Sequence, residues 1–396
     1  MKKIILIVLD GASDRGEDTP FHSAKKPNMD SLAKNGRCGL IDIGYRKHVE
    51  SDIGFLTILG FFTKEDYPGR GYLEAIGLGL KPKEKELCIR GNFATLDKNG
   101  NISDRRGGRE DTGLDFLCEQ LDGMEMDGVH FHVRAGLGHR VVIMLEGKDL
   151  SKDIIPNDPL LEGKPLPQVG AATPSGKFTA SVLNKFLYRS RKIIESSGIN
   201  SKRKTPVNAI IIRNAGMKKK HLSFEEKYGM SGCCIAGVPI AKGIARYLGM
   251  QVVEVHGATG NPDTDLKAKA EKAIEAIKNH GFVWLHINGS DILAHDAKRV
   301  EKTRFIERID SEVISRIMDS VDMENSIIII TCDHGTDSEP SFKHYRHVPD
   351  PVPVLVSGDG IKPGNTAAFD EDSCRFATMR IKGNGLLPFV LRISSD

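Results

Sequence analysis

A chain of 396 residues in which hydrophobic side chains make up 39% and charged ones 28% has enough apolar sequence for more than one packed core. Its 56 Lys and Arg against 53 Asp and Glu leave a net charge of +3, which excludes a generally basic nucleic-acid binder and a charge-extended disordered polymer. No apolar run approaches the ~20 residues of a membrane-spanning helix, and the seven scattered cysteines fit reduced thiols in a cytoplasmic compartment.

Lys2 and Lys3 ahead of an apolar stretch imitate a signal peptide. That stretch ends at Asp10, short of the ~7–15 apolar residues such a segment needs, and no small-residue cleavage site follows. IILIVLD instead predicts a strand buried on both faces, delivering Asp10 to the sheet edge where open α/β sheets bind ligands. Pro27-Asn28 introduces a short helix, MDSLAKNG, closed by Gly36.

From about 84 to 175 the texture changes. Short alternating segments (LCIRGNFATLD, GVHFHVRAG, HRVVIMLEG) are divided by turn signals, with Asn99-Gly100-Asn101 marking a hairpin. The expected organisation is a core of residues 1–83 and 176–396 with a smaller α+β domain, 84–175, inserted in it. Core patterns are expected to resume with FTASVLNKFLYRSRKIIE and NAIIIRNAG, and the basic runs at 202–204 and 218–220 read as solvated faces.

In the last third, residues 266–279 predict a helix stopped by His280-Gly281. FVWLHI predicts a strand leading into NGSDILAHD, followed by a helix with Ile306, Ile309, Val313 and Ile317 on one apolar stripe. SIIIIT is a buried strand running into CDHGTDSEP, and VPVLVSG is another. Strands alternating with helices predict an α/β core with a largely parallel sheet flanked by helices.

Four clusters carry chemistry: Asp10; Ser51 with Asp52; Asp291 with His295, four residues apart; and Asp333-His334 with His347 thirteen residues on. Singly, each has a bland explanation: a capping Asp, a local Asp–His pair, a loop Ser. Together, three carboxylates and three imidazoles at one sheet edge match the ligand needs of two divalent ions. A metal-bound serine oxygen becomes a nucleophile, and a second cation neutralises charge during in-line attack on phosphorus. The pattern predicts phosphoryl transfer through a phosphoserine.

VLDG, the Ser51 loop, GATGNPDTDL, HINGSDILAHD, CDHGTDSEP and HVPDPVP occur in one order along the chain. Together they resemble the archaeal-type cofactor-independent phosphoglycerate mutases of the alkaline phosphatase superfamily. The resemblance implies an alkaline-phosphatase-like core with an inserted substrate-handling domain that closes over it. It implies one metal site of Asp10, Ser51, Asp333 and His334, a second of Asp291, His295 and His347, and Ser51 as the phosphorylated nucleophile. GRGYLEAIG with Arg70, DRRGGR with Arg105, Arg106 and Arg109, and the pair His139-Arg140 correspond to its substrate-binding segments. Planar guanidinium groups suit the carboxylate and phosphate of a small acid. Lys242, opening a helix pattern, reads either as a further phosphate contact or as a solvated helix lysine.

The chain departs from the family's usual S-D-T-A-H-L at S-D-I-G-F-L, and Asn288 replaces a usual lysine. The resemblance implies interconversion of 3- and 2-phosphoglycerate with two divalent ions (manganese first; zinc, cobalt or magnesium otherwise) and no 2,3-bisphosphoglycerate. It gives no nucleic-acid or membrane partner, and no pattern fixes an oligomeric state. The alternatives are a metal-dependent phosphatase or phosphotransferase of the same superfamily acting on another small phosphorylated acid or alcohol, and a catalytically silent metal-stabilised scaffold.

Overall fold

In the computed structural model, which describes residues 2–44, 50–339 and 347–394, the apolar runs form the centre of an eight-stranded sheet. Its order is Gln251–Val252, Gly232–Ile235, Phe282–Ile287, Lys3–Leu9, Ser326–Thr331, Val352–Gly358, Arg37–Asp42, Met379–Lys382. Lys3–Leu9 is parallel to both neighbours, with Val8 level with His286 on one side and Thr331 on the other. Only the pairings made by Val352–Gly358 are antiparallel. The sheet is thus largely parallel, with its apolar central strands buried on both faces.

Helices cover it as their stripes dictate. Ile306, Ile309, Val313 and Ile317 are all fully buried, along a helix that passes from Arg299–Ile309 through one π-turn into Ser315–Ser320. Asp310, in that π-turn, caps a second helix, Pro27–Lys34, accepting from the amides of Asn28 and Met29 at 3.2 and 2.8 Å. Lys26, the residue before that helix, offers it no side-chain cap of its own. Among the described residues no helix is long and apolar enough to cross a membrane.

The chain divides into two compact units, Met1–Glu65 with His221–Asp396 and, separately, Asp66–Lys220. The second unit is wider at both ends than 84–175. Its antiparallel sheet, ordered Ala209–Gly216, Leu87–Leu96, Arg140–Glu146, Val129–Ala135, Glu125–Met126, takes in the strand of NAIIIRNAG. Helix Lys177–Ser196 buries Val182, Leu183, Phe186 and Ile194 in that unit's own core, where Phe186 stacks on Phe131 at 4.2 Å. Periodicity tells which face of a helix is buried but not which sheet buries it. At the other end, helix Arg70–Gly77 packs at Gly71 so closely that an added Cβ would lie 2.5 Å from the carbonyl oxygens of both Cys88 and Asn214. The hairpin at Asn99-Gly100-Asn101 joins Leu87–Leu96 to Ile102–Asp104.

One basic run is not a solvated face throughout. Arg203 is buried, and its guanidinium donates to the carbonyls of Gly107, Glu110, Thr112 and Thr205. It ties the end of DRRGGR to the loop that follows it. Five fixed donors in one plane make arginine the residue that can satisfy so many carbonyls at once.

Candidate active site

Three parallel strands lie side by side, Phe282–Ile287, Lys3–Leu9 and Ser326–Thr331, so their C-terminal ends meet at one edge. Asp10 follows the middle strand. Asp291 and His295 lie one turn apart on helix Gly289–His295, entered directly from the first, and Asp333-His334 follow the third. His347 arrives from elsewhere: a short antiparallel pairing places it opposite Thr336. Ser51 opens helix Ser51–Ile58 and is buried.

These residues converge. His334 Nε2 stands 3.1 Å from Ser51 Oγ, 3.2 Å from Asp333 Oδ2 and 3.5 Å from Asp10 Oδ1. Asp291 Oδ1 stands 3.4 Å from His295 Nε2 and 3.5 Å from His347 Nε2, and those two nitrogens are 3.0 Å apart. Two overlapping sets, Asp10–Asp333–His334 and Asp291–His334–His347, each hold their ligand atoms within 4.8 Å of one another. Gly11 makes the crowding possible: at φ +60°, a Cβ there would fall 2.6 Å from Thr336 Oγ1 and 2.8 Å from Asp291 Oδ1.

The electrostatics fit cation binding. Burial pushes the Asp333 carboxyl well above its ordinary range, and the like charges of Asp10 and Asp291 push it further. Burial likewise holds His334 well below the usual imidazole value, and His347 reinforces this, so the ring is neutral. Burial would raise Asp291, but His295, His347 and His334 overcome it and keep this carboxylate ionised. Asp333 Oδ2 is buried and takes no hydrogen bond from a described residue. Crowded carboxylates beside neutral imidazoles are the donor set that hard-to-borderline divalent cations require.

Sequence reasoning missed the supports. His286, buried and kept neutral by burial and by Lys269, donates from Nε2 to Asp10 Oδ2 at 3.0 Å. Lys269, pushed down to about 8 by burial, donates to the His286 carbonyl at 3.0 Å. Lys302 is fully buried, bonding Asp14 Oδ2 at 3.1 Å and the Thr336 carbonyl at 2.9 Å. A titratable residue inside a wholly apolar strand, His286 in FVWLHI, is the signal that could have marked the first of them.

The second unit holds a cationic cluster. Glu74 is buried with Arg70 Nε at 2.8 Å and Arg90 Nε at 3.2 Å. Burial would raise the Glu74 carboxyl, but Arg90, Arg70 and Arg140 hold it down to about 2. His139 is pushed down to about 2 by burial and then by Arg140, Arg106, Arg90 and Arg109. Arg70, Arg106, Arg109, His139 and Arg140 therefore share one field, to which Arg90 is an addition that LCIRGNFATL could have flagged. Arg105 acts on Arg106 in the same field but is itself neutralised: its guanidinium is clamped two-point on buried Asp158, at 2.9 and 2.7 Å. Lys242, on helix Pro239–Tyr247, is ion-paired with Glu254.

Glu74 sets an acid limit on this unit. Its depressed carboxyl contributes stability that is complete above its ordinary value of 4.5 and is lost as pH falls from there toward about 2. The contribution at neutral pH is on the order of 3 kcal/mol. Glu74→Gln is expected to lower stability at pH 7 by that order and to flatten the loss between pH 4.5 and 2, read by urea unfolding across that range. Equal slopes in parent and variant would contradict this.

Fold and site together define an α/β metalloenzyme. A family model described as the Metalloenzyme superfamily matches residues 2–386. The chain is 36% identical to the 2,3-bisphosphoglycerate-independent phosphoglycerate mutase of Methanococcus vannielii, over 98% of this chain and 97% of that one. It is 37% identical to the enzyme of that name from Methanopyrus kandleri, over 100% and 97%. Among solved structures it is similar to a protein of Pyrococcus horikoshii (TM-score 0.84, 30% identity, 100% and 97% covered). It is also similar to the cofactor-independent phosphoglycerate mutase of Thermoplasma acidophilum (TM-score 0.69, 32% identity, both chains fully covered). The chain belongs to the family of 2,3-bisphosphoglycerate-independent phosphoglycerate mutases.

Proposed function

We propose that this chain interconverts 3-phosphoglycerate and 2-phosphoglycerate without 2,3-bisphosphoglycerate, through a phosphoserine at Ser51. The observation that carries this is Ser51 Oγ, buried at a helix start 3.1 Å from His334 Nε2, the nitrogen that itself stands 3.5 Å from Asp10 Oδ1 and 3.2 Å from Asp333 Oδ2.

Asp10, Ser51, Asp333 and His334 would hold one divalent ion and Asp291, His295 and His347 the other; bound there, ions favour the serine alkoxide and neutralise phosphoryl charge. Manganese is the ion the family resemblance puts first, with zinc, cobalt or magnesium as alternatives that carboxylate and imidazole donors also accept. As the Ser51 Oγ–P bond forms, the P–O bond to glycerate breaks and that oxygen takes a proton. The reverse step on the neighbouring hydroxyl returns Ser51 to its starting state, so protons balance over the cycle. The amides of the first turn of Ser51–Ile58 favour the anion that builds up beside them.

The cations of Arg70, Arg90, Arg106, Arg109 and Arg140 serve the two anionic groups of the acid. Arg105, already clamped by Asp158, serves the frame instead. His139, neutral in that field, offers a hydrogen bond without adding charge. Bound glycerate must be retained between the two transfers, or water takes the phosphoryl group. Arg106→Ala is therefore expected to raise phosphate release relative to isomerisation by about tenfold or more, the worth of one hydrogen bond to a charged group. The cytoplasm, where such acids are metabolised, is the proposed location.

The test couples product to enolase and follows phosphoenolpyruvate absorbance, with inorganic phosphate measured in parallel. Isomerisation outrunning phosphate release supports the mutase. Phosphate release alone would make the chain a phosphatase, the reading that Asn288 favours: its amide donates to the Gly260 carbonyl where the family usually has a lysine cation.

A further inference from the structure

Thr336 belongs to none of the ligand sets, yet its hydroxyl lies between them. Oγ1 is 2.8 Å from Asp291 Oδ1 and 3.1 Å from His334 Nδ1. The residue is fully buried and held on three sides: its amide donates to the Ser13 carbonyl at 2.8 Å, its carbonyl accepts from Lys302 at 2.9 Å, and it pairs with His347 across the short ladder. The strain-free approach of Gly11 leaves the hydroxyl room between the two loops.

A hydroxyl has one hydrogen and two lone pairs. An ionised carboxylate only accepts, so at 2.8 Å the hydrogen of Thr336 goes to Asp291. Its lone pair is then left for His334, and the ring must carry its proton on Nδ1. That leaves the lone pair of His334 on Nε2, the atom facing Ser51, Asp333 and Asp10.

We propose that Thr336 is a positioning residue which, through this single hydroxyl, commits His334 to the Nδ1–H tautomer and couples the two cation sites. The inference rests on reading the two clusters as metal ligands. One oxygen orients a ligand of each set, so what loosens it loosens both. Outer partners of this kind are worth about 10–100-fold in metal affinity.

The experiment has two arms. Nitrogen-15 spectra of the metal-free parent, with the His334 signals assigned by their loss in His334→Asn, report which ring nitrogen carries the proton. Manganese titration by calorimetry then compares the parent with Thr336→Val, which keeps the shape and removes the hydroxyl, and with Thr336→Ser, which restores it. The expected result is an Nδ1–H ring in the parent, a 10–100-fold loss of affinity at both sites in Thr336→Val, and near-parent binding in Thr336→Ser. An Nε2–H ring in the parent, or parent-like affinity at both sites in Thr336→Val, overturns the proposal. If Thr336→Val does not fold, the parent spectrum decides. A parent that binds no manganese refutes the two-ion reading, and the spectrum still judges the tautomer separately.

Discussion

Ser51→Ala is expected to abolish isomerase turnover, by roughly 10⁴- to 10⁶-fold, the range typical when a covalent nucleophile is removed. The loss has two parts. The attacking oxygen disappears, and with it the place where the phosphoryl group waits while glycerate turns. The ligand set also loses one oxygen, but Asp10, Asp333 and His334 remain together, and Asp10 is still oriented by His286 at 3.0 Å. The fold should therefore hold: Ser51 is a first-turn residue on a helix whose Phe55, Leu56 and Ile58 stay buried, with Phe55 packed edge-on against Trp284 and His286. Unchanged near-ultraviolet circular dichroism with no detectable 2-phosphoglycerate is the expected pair of readings. Slow phosphate release by water attack is compatible with them. Isomerase turnover within tenfold of the parent would contradict the role given to Ser51.

Chelation is expected to have the second largest effect, because it removes catalysis and a structural constraint together. Without cations the site keeps Asp10, Asp291 and Asp333 close to one another, with Asp333 forced toward its protonated form. Prolonged EDTA treatment should cut turnover by about 10³-fold or more, since metal ions supply several kcal/mol of transition-state charge stabilisation, and should lower the melting temperature. Each site held at a hundredfold excess of free ion over its Kd adds about 2.7 kcal/mol of stability, and that much is lost on stripping. Added manganese should restore both activity and melting temperature. Activity that survives EDTA in protein free of metal by elemental analysis would contradict the account.

The edge that gathers the candidate ligands was legible in the sequence because strand-end acids announce themselves. A continuous apolar run such as IILIVL or SIIIIT, broken by Asp, fixes both the strand and the point where its side chain leaves the core. His347 was legible as chemistry but not as position, since a short ladder to Gly335–Thr336, not local sequence, brings it in. Pro340, closing the CDHGTDSEP motif, lies outside the described residues.

What stayed hidden depends on partners distant in sequence. Lys302 sits on a helix of high charge and looks solvated until Asp14, nearly three hundred residues away, is placed against it. Arg105 and Arg106 are adjacent and chemically identical, yet one is clamped by Asp158 and the other lies among cations. Nothing in DRRGGR separates them. The wider second unit has the same origin: helix Lys177–Ser196 is amphipathic in sequence, and only the sheet it covers assigns it.

The most direct test of the central claim is acid quenching of manganese-loaded enzyme during turnover of 3-phosphoglycerate, followed by peptide mass spectrometry. A phosphorylated peptide whose modified residue is Ser51 is expected within one turnover, and none from EDTA-treated enzyme. Sustained isomerisation with no phosphopeptide at Ser51, or with the phosphoryl group on another residue, would contradict that claim.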